Sequence, residues 1–340
     1  MSAAFQSESP FGPSGSLSIA TGGAALTGRH PGYAPPGTLP RERAPGNASA
    51  SGRDARYNRV SEEAALKLFP TLALAGAVVG LALAQSGPPA PQPAKLQVLI
   101  VTGQSAGGHD WRATTPVLRK ILEDSGRFEV RVTEEFRGAG PDTLALYDVV
   151  IVNYYDANRP NLRWGEAADN ALLNFVRGGK GLVVYHFATA SFNGWTEFEK
   201  MCGANWRSGN GHHSSRHDFT VTVQDPDHPI TRGLKTTFPQ TSDELYANLK
   251  WQPAGSFHVL ATAWDDHSLY RQGEKQPLVG PGAAEPMLWT VNYGQGRVFV
   301  TAMGHDTEAM KSAGFVTTLA RGTEWAASGK VTLPVPPEMR

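Results

Sequence analysis

Hydrophobic and polar positions divide the chain into three regimes. Residues 1 to 60 carry no apolar repeat at 3.6 or 2 and are rich in Gly, Pro, Ser, Ala and Arg, so they cannot bury enough surface to offset the entropy of ordering. Residues 67 to 84, KLFPTLALAGAVVGLALA, form one apolar run. From Lys95 onward short β-branched runs alternate with amphipathic stretches. Lys95 to Thr102, Phe128 to Val132, Tyr147 to Asn153 and Leu182 to Tyr185 read as strands buried in a sheet. Helical spacing covers Thr114 to Leu122 and Trp164 to Val176, and Pro141 with Asp142 opens a short helical turn. Helix-bearing connections of this length imply parallel pairing.

The second half changes rhythm. Phe198 and Met201 suggest a short helix, Phe219 to Val223 alternates as a strand, and Asp225 to Leu234 is turn chemistry broken by Pro226 and Pro229. Phe257 to Ala263 and Pro286 to Val291 are strands, Gly294 to Gly296 turns the latter into a hairpin with Arg297 to Ala302, and Phe315 to Ala327 is a closing helix. The predicted fold is α/β, a doubly wound and mostly parallel sheet with a C-terminal β-hairpin and a closing helix.

The run at 66 to 84 ends Ala82, Leu83, Ala84, Gln85 behind a single Lys67, which is the pattern of a secretory signal with an A-x-A cleavage site. Its roughly seventeen apolar residues sit at the short limit for a membrane span, so an uncleaved anchor is the alternative. The charged region of a signal belongs at the true N-terminus. The placement therefore suggests a start at Leu66, with residues 1 to 65 an unstructured and untranslated extension. Residues 85 to 94 are a Pro-rich linker, 95 to 330 one domain, and 331 to 340 a tail.

Residues 1 to 84 hold seven of the 31 basic and five of the 31 acidic residues, which leaves 24 against 26. No basic face is available to neutralise phosphates, which argues against nucleic acid as a partner. The single cysteine, Cys202, permits no internal disulfide, a common condition in the bacterial periplasm or in bacterial secretion.

Candidate chemistry collects at strand exits, where open α/β sheets bind ligands. His186 follows the strand at Leu182 directly, at the elbow where a doubly wound hydrolase holds its Ser or Cys; no nucleophile stands there. Cys202 reads as a small buried residue. His109 follows the first strand through Gly107 and Gly108, in a loop that fits neither the dinucleotide fingerprint nor a P-loop. His305 follows the strand at Arg297. His186 has a plain alternative as a core histidine bonded to a backbone carbonyl, and His109 as a neighbour of a helix N-cap. Glu244 paired with a histidine would make an acid–base couple, although capping of a helix by Ser242 would also explain the acidic pair Asp243 and Glu244. His212, His213 and His217 lie close enough in sequence for His213 and His217 to share a divalent metal, or to be merely solvated. Trp111, Tyr155, Trp195, Trp206 and Tyr246 offer rings on which a ligand can stack, with Gly108 allowing close backbone approach; packing is the commoner use of such rings.

Taken in order, VTGQSAGGHDW at 101 to 111, VVYHFATASFNGW at 183 to 195, GHHSSRHDFTV at 211 to 221, DHPITRGL at 227 to 234, SDELY at 242 to 246, YGQGRVFVTAMGHD at 293 to 306 and EWAA at 324 to 327 resemble the ThuA-like, or trehalose-utilisation, family. The resemblance spans about residues 96 to 327. It implies the fold of class I glutamine amidotransferases without their cysteine, and a role in bacterial use of disaccharides, glycosides and their 3-keto forms. A ketone at C3 acidifies the C2 proton, so a base, an acid and an electrophile suffice to expel the C1 oxygen. His109, His186, Glu244 and His305 are residue types suited to those tasks. A non-catalytic sugar-binding or accessory module on the same fold is the competing expectation.

Overall fold

A computed structural model describes residues 94–157, 163–271 and 280–340. The expected extension, signal segment and most of the linker lie outside the described residues.

Four apolar runs become the parallel half of a nine-stranded sheet: β1 (Leu96–Val101), β2 (Phe128–Thr133), β3 (Val149–Val152) and β4 (Gly181–Tyr185), joined beyond β4 by β11 (Gly296–Thr301). Strand order here is β2-β1-β3-β4-β11, all pairings parallel. Every residue of β3 and β4 is buried, as expected of runs covered on both faces, while the edge strand β2 alternates buried and exposed positions at its start.

Beyond β11 the sheet turns antiparallel through β10 (Gly282–Tyr293), β9 (His258–Asp266), β6 (His217–Val223) and β7 (Thr237–Asp243). The architecture is thus α/β around a mixed sheet, more antiparallel than the sequence reading allowed. Strand β7 was not expected at all. Its sequence, TFPQTSD, is polar and contains Pro239, which an edge strand tolerates because one side of it makes no ladder. Ser242 accordingly caps no helix; it sits at φ 50° near the end of β7. A two-stranded ribbon, β5 (Ala204–Asn205) with β8 (Lys250–Trp251), stands apart.

Helix α1 (Trp111–Asp124) starts where the Asp110 carboxylate accepts from the backbone N–H groups of Arg112 and Ala113. Short α2 (Pro141–Leu144), α3 (Glu166–Arg177) and α4 (Thr196–Cys202) follow. The closing helix α5 (Ala313–Ser328) packs on β4 and β11, so closely that a Cβ at Gly181 would lie 2.5 Å from the Ala326 carbonyl carbon. No helix among the described residues is long and apolar enough to cross a membrane.

Candidate functional site

Strand β4 ends at Tyr185, and the chain reverses at His186, which adopts a left-handed φ of 43° before a short 3₁₀ turn, His186–Ala190. A non-glycine residue in this region is strained, and such strain concentrates at functional turns. The fully buried His186 ring places Nδ1 2.6 Å from the Ala302 carbonyl at the end of β11. That contact makes Nδ1 the donor and turns the Nε2 lone pair inward.

His109 is built the same way. It lies in the loop after β1, with Nδ1 2.9 Å from the Ala106 carbonyl and Nε2 facing inward, 3.1 Å from the Tyr246 hydroxyl. His305 comes from the loop after β11, and Glu244 directly follows β7. Around Glu244 Oε2 stand His305 Nδ1 at 3.0 Å, His186 Nε2 at 3.6 Å and His109 Nε2 at 3.8 Å. Across the carboxylate, His213 Nε2 lies 3.6 Å from Oε1.

One buried carboxylate anchors two of these residues. Asp243 Oδ1 accepts from the backbone N–H groups of Glu244 and His305, and Oδ2 from Gly304 N–H and the Gln240 amide, all at 2.7–2.9 Å. Nothing in the sequence separated Asp243 from an ordinary cap, because its partners at Gly304 and His305 lie 61 and 62 residues away.

Electrostatics follow from this crowding. Burial, with repulsion from His186, pushes His109 down to about 3, so its imidazole is neutral at ordinary pH. Burial would raise Glu244, but the His186 and His305 imidazoles outweigh it and hold the carboxyl below its usual range. Burial likewise acts to lower His305, and Glu244 overcomes it, raising the imidazole.

The donor set fits a metal ion. His186 Nε2, Glu244 Oε2 and His305 Nδ1 are buried without a hydrogen-bond partner, and the four donor atoms of His109, His186, Glu244 and His305 lie within 4.8 Å of one another. Two ligand atoms on a tetrahedral zinc ion stand about 3.4 Å apart, close to the 3.0–3.8 Å between Glu244 Oε2 and the three imidazole nitrogens. The carbonyl acceptors behind His109 and His186 are the outer support that ligating histidines ordinarily have.

The remaining expected residues divide. Tyr155, Tyr246, His109 and His213 line a cavity of about 170 Å³ together with Trp206 and Phe187. Gly108, at φ 87°, adjoins His109 in the same loop but does not line the cavity. Trp111 starts α1 beneath the Arg112 guanidinium and faces a different cleft, and Trp195 stacks on Phe198 under Arg163. Both rings are buried by packing rather than brought to the cluster. His217 opens β6, with Nδ1 near Ser214 Oγ and the Ser215 carbonyl, and is not among the four converging residues. A larger groove of about 620 Å³ between α1, α5 and the C-terminal segment contains none of the candidate residues. Cys202 is fully buried and its thiol is pushed up to about 12 by burial, which removes it as a nucleophile.

The sequence profile of the family described as ThuA, trehalose utilisation, matches residues 97–326. The chain belongs to that family. ThuA proteins are associated with carbohydrate utilisation, and the four converging side chains all fall inside the matched span. A ThuA-like protein from Parabacteroides merdae is 30% identical, its solved structure matching with a TM-score of 0.60 over 72% of this chain and 94% of its own. A ThuA-like protein from Bacteroides uniformis is 21% identical, with a TM-score of 0.54 over 72% of this chain and 98% of its own, and supports the fold alone. No functionally curated protein is significantly similar in sequence.

Proposed function

We propose that this ThuA chain is an enzyme that acts on a disaccharide, glycoside or 3-keto-glycoside at the His109, His186, Glu244 and His305 cluster, with a divalent metal held by those four residues. The observation that carries the reading is the set of buried, unsatisfied donor atoms turned toward one another beside an aromatic cavity. A native fold rarely leaves several polar atoms unpaired at one place without a ligand to satisfy them. A divalent ion there would polarise a sugar oxygen and stabilise the charge that an enediolate develops.

The protein's own groups do the rest. Neutral His109 keeps a lone pair at working pH, and Glu244 supplies the negative charge. Tyr246 keeps its hydroxyl protonated, since burial raises it well above the usual value; its O–H faces His109 Nε2 at 3.1 Å and would be freed to donate to a substrate oxygen once a metal took that nitrogen's lone pair. His213 stands at the exposed side of Glu244, where a proton can exchange with solvent. In a 3-keto-glycoside, loss of the C2 proton to a base forms the C1–C2 double bond as the C1–O bond breaks, and the departing oxygen takes a proton.

Two measurements test this. Purified protein analysed for metals should carry about one divalent ion per chain, and the ion should be lost in His186→Asn. With trehalose oxidised at C3 as substrate, His186→Asn should reduce turnover about a hundredfold or more while stability changes by roughly 1 kcal/mol. Lowered stability with normal activity per folded molecule would make His186 a structural residue. Tight sugar binding without any turnover would favour the non-catalytic binding module, a reading supported by the missing nucleophile at the β4 elbow. We further propose export through the apolar segment at 66–84, which N-terminal sequencing of the cell-envelope protein checks: peptides from residues 1–60 would contradict it.

A further inference from the structure

The cavity beside the cluster is small and its walls are fixed before any ligand arrives. Pockets for drug-sized ligands run from about 300 to 1,000 Å³. This one is open to solvent on one side and offers about 170 Å³ between the rings of Trp206, Tyr246, Phe187 and Tyr155 and the imidazoles of His109 and His213. Aromatic faces with a few convergent polar atoms suit a ligand that has an apolar C–H face and a polar rim.

Trp206 is the most deliberately held of these rings. The buried Arg207 guanidinium donates to four carbonyls, those of Trp206 at 2.7 Å, Thr189 at 3.3 Å, Ala190 at 3.2 Å and Ser191 at 3.1 Å, and its Nε bonds Glu199 at 2.7 Å. It thereby locks the Trp206 backbone onto the turn that carries His186. Gly211, at φ 102°, lies against the ring-fusion atoms of the indole, where a Cβ would come within 2.5 Å of Cδ2. Tyr246 meets the same indole edge-on at a centroid distance of 4.8 Å. An indole fastened on three sides loses little freedom when a ligand stacks on it.

We propose that this cavity is a subsite for one pyranose ring, with Trp206 as its stacking wall, so that the protein engages a glycoside only through a terminal sugar. The proposal rests on the carbohydrate reading above and narrows it. A second ring has no room inside and lies beyond His213, whose side chain is 36% exposed at the mouth. The recognised unit is a single hexose, and what is attached to it matters little.

Calorimetry with the full-length protein tests this, using methyl α- and β-D-glucopyranosides, trehalose, and trehalose oxidised at C3. Trehalose should bind within about threefold of the better methyl glucoside. Trp206→Ala should weaken every sugar about tenfold or more, Trp206→Phe should recover most of the loss, and metal content should match the wild type. For the oxidised disaccharide the Trp206→Ala effect should appear in KM with kcat nearly unchanged, as for an interaction made equally in ground and transition states. If Trp206→Ala does not fold, Trp206→Leu against Trp206→Phe makes the same comparison. Trehalose binding more than about tenfold tighter than either methyl glucoside would place two rings inside and overturn the proposal. Wild-type turnover with Trp206 variants unaffected would overturn the subsite alone, whereas a wild type that neither binds nor turns over any of these sugars overturns the carbohydrate reading and the subsite with it.

Discussion

At the scale of single residues, the site depends on a carboxylate that never faces its ligand. Asp243 accepts four hydrogen bonds in a fully buried position, and two of them fix the backbone of Glu244 and His305. Asparagine has the same shape but replaces one acceptor oxygen by an NH₂ group, which would oppose a donor whichever way the amide turned. Leaving a buried donor unpaired costs about 1–3 kcal/mol, more where the lost acceptor was charged. Asp243→Asn should therefore lower stability by at least about 1 kcal/mol in urea unfolding and reduce metal content at pH 7, because the Glu244 and His305 donors lose their register. Full metal occupancy in a destabilised variant would show that Asp243 supports the fold and not the cluster.

At the scale of elements, the sheet explains what was legible in the chain. Val149 to Val152 and Leu182 to Tyr185 could be read because a strand buried on both faces has to be an unbroken apolar run, and His186 could be singled out because it ends one. His109 and His305 followed by the same logic at the exits of β1 and β11. Strand β7 escaped because an edge strand with Pro239 and alternate polar residues looks like a loop, and with it went the reason for Glu244's position. Trp111 and Trp195 were candidates for stacking because a tryptophan in a loop does not announce what it packs on. The antiparallel half of the sheet was underestimated because pairing order, β10-β9-β6-β7, is set by contacts distant in sequence. Local rules can also change sign in such a fold. Glycine inside a helix ordinarily destabilises by about 1 kcal/mol relative to alanine. Gly322 lies within α5 where an added Cβ would overlap the Phe299 ring of β11. Gly322→Ala should thus destabilise by about 1–3 kcal/mol despite its better helix propensity, as overpacking does. Thermal unfolding decides it: a raised melting temperature would mean that α5 can move away from the sheet at little cost.

At the scale of the whole molecule, acid stability should betray the buried imidazoles. The chain beyond residue 84 holds 24 basic and 26 acidic residues, so little net charge accumulates near neutrality to mask local effects. His109 is pushed down to about 3, and His228 to about 4, in both cases chiefly by burial, from an ordinary value of 6.5. Below 6.5 the unfolded chain takes up protons that the folded chain refuses. Their stabilising contribution is therefore complete above about 6.5 and is lost as pH falls toward 4 and then 3. His305 runs the other way, since its raised value gives a contribution present in acid and lost as pH rises through the folded value. His228 isolates the first effect, because it lies away from the cluster, against Trp325 and beside Asp225, His258 and Arg232. Its Nδ1 accepts from the Ile230 N–H, a bond that a glutamine side-chain oxygen can replace. Melting temperatures between pH 4 and pH 7 should fall with acid in the wild type and fall less steeply in His228→Gln, the two curves differing most near pH 4. Parallel curves would show that His228 already binds its proton in the folded protein, and that burial against Trp325 does not keep it neutral.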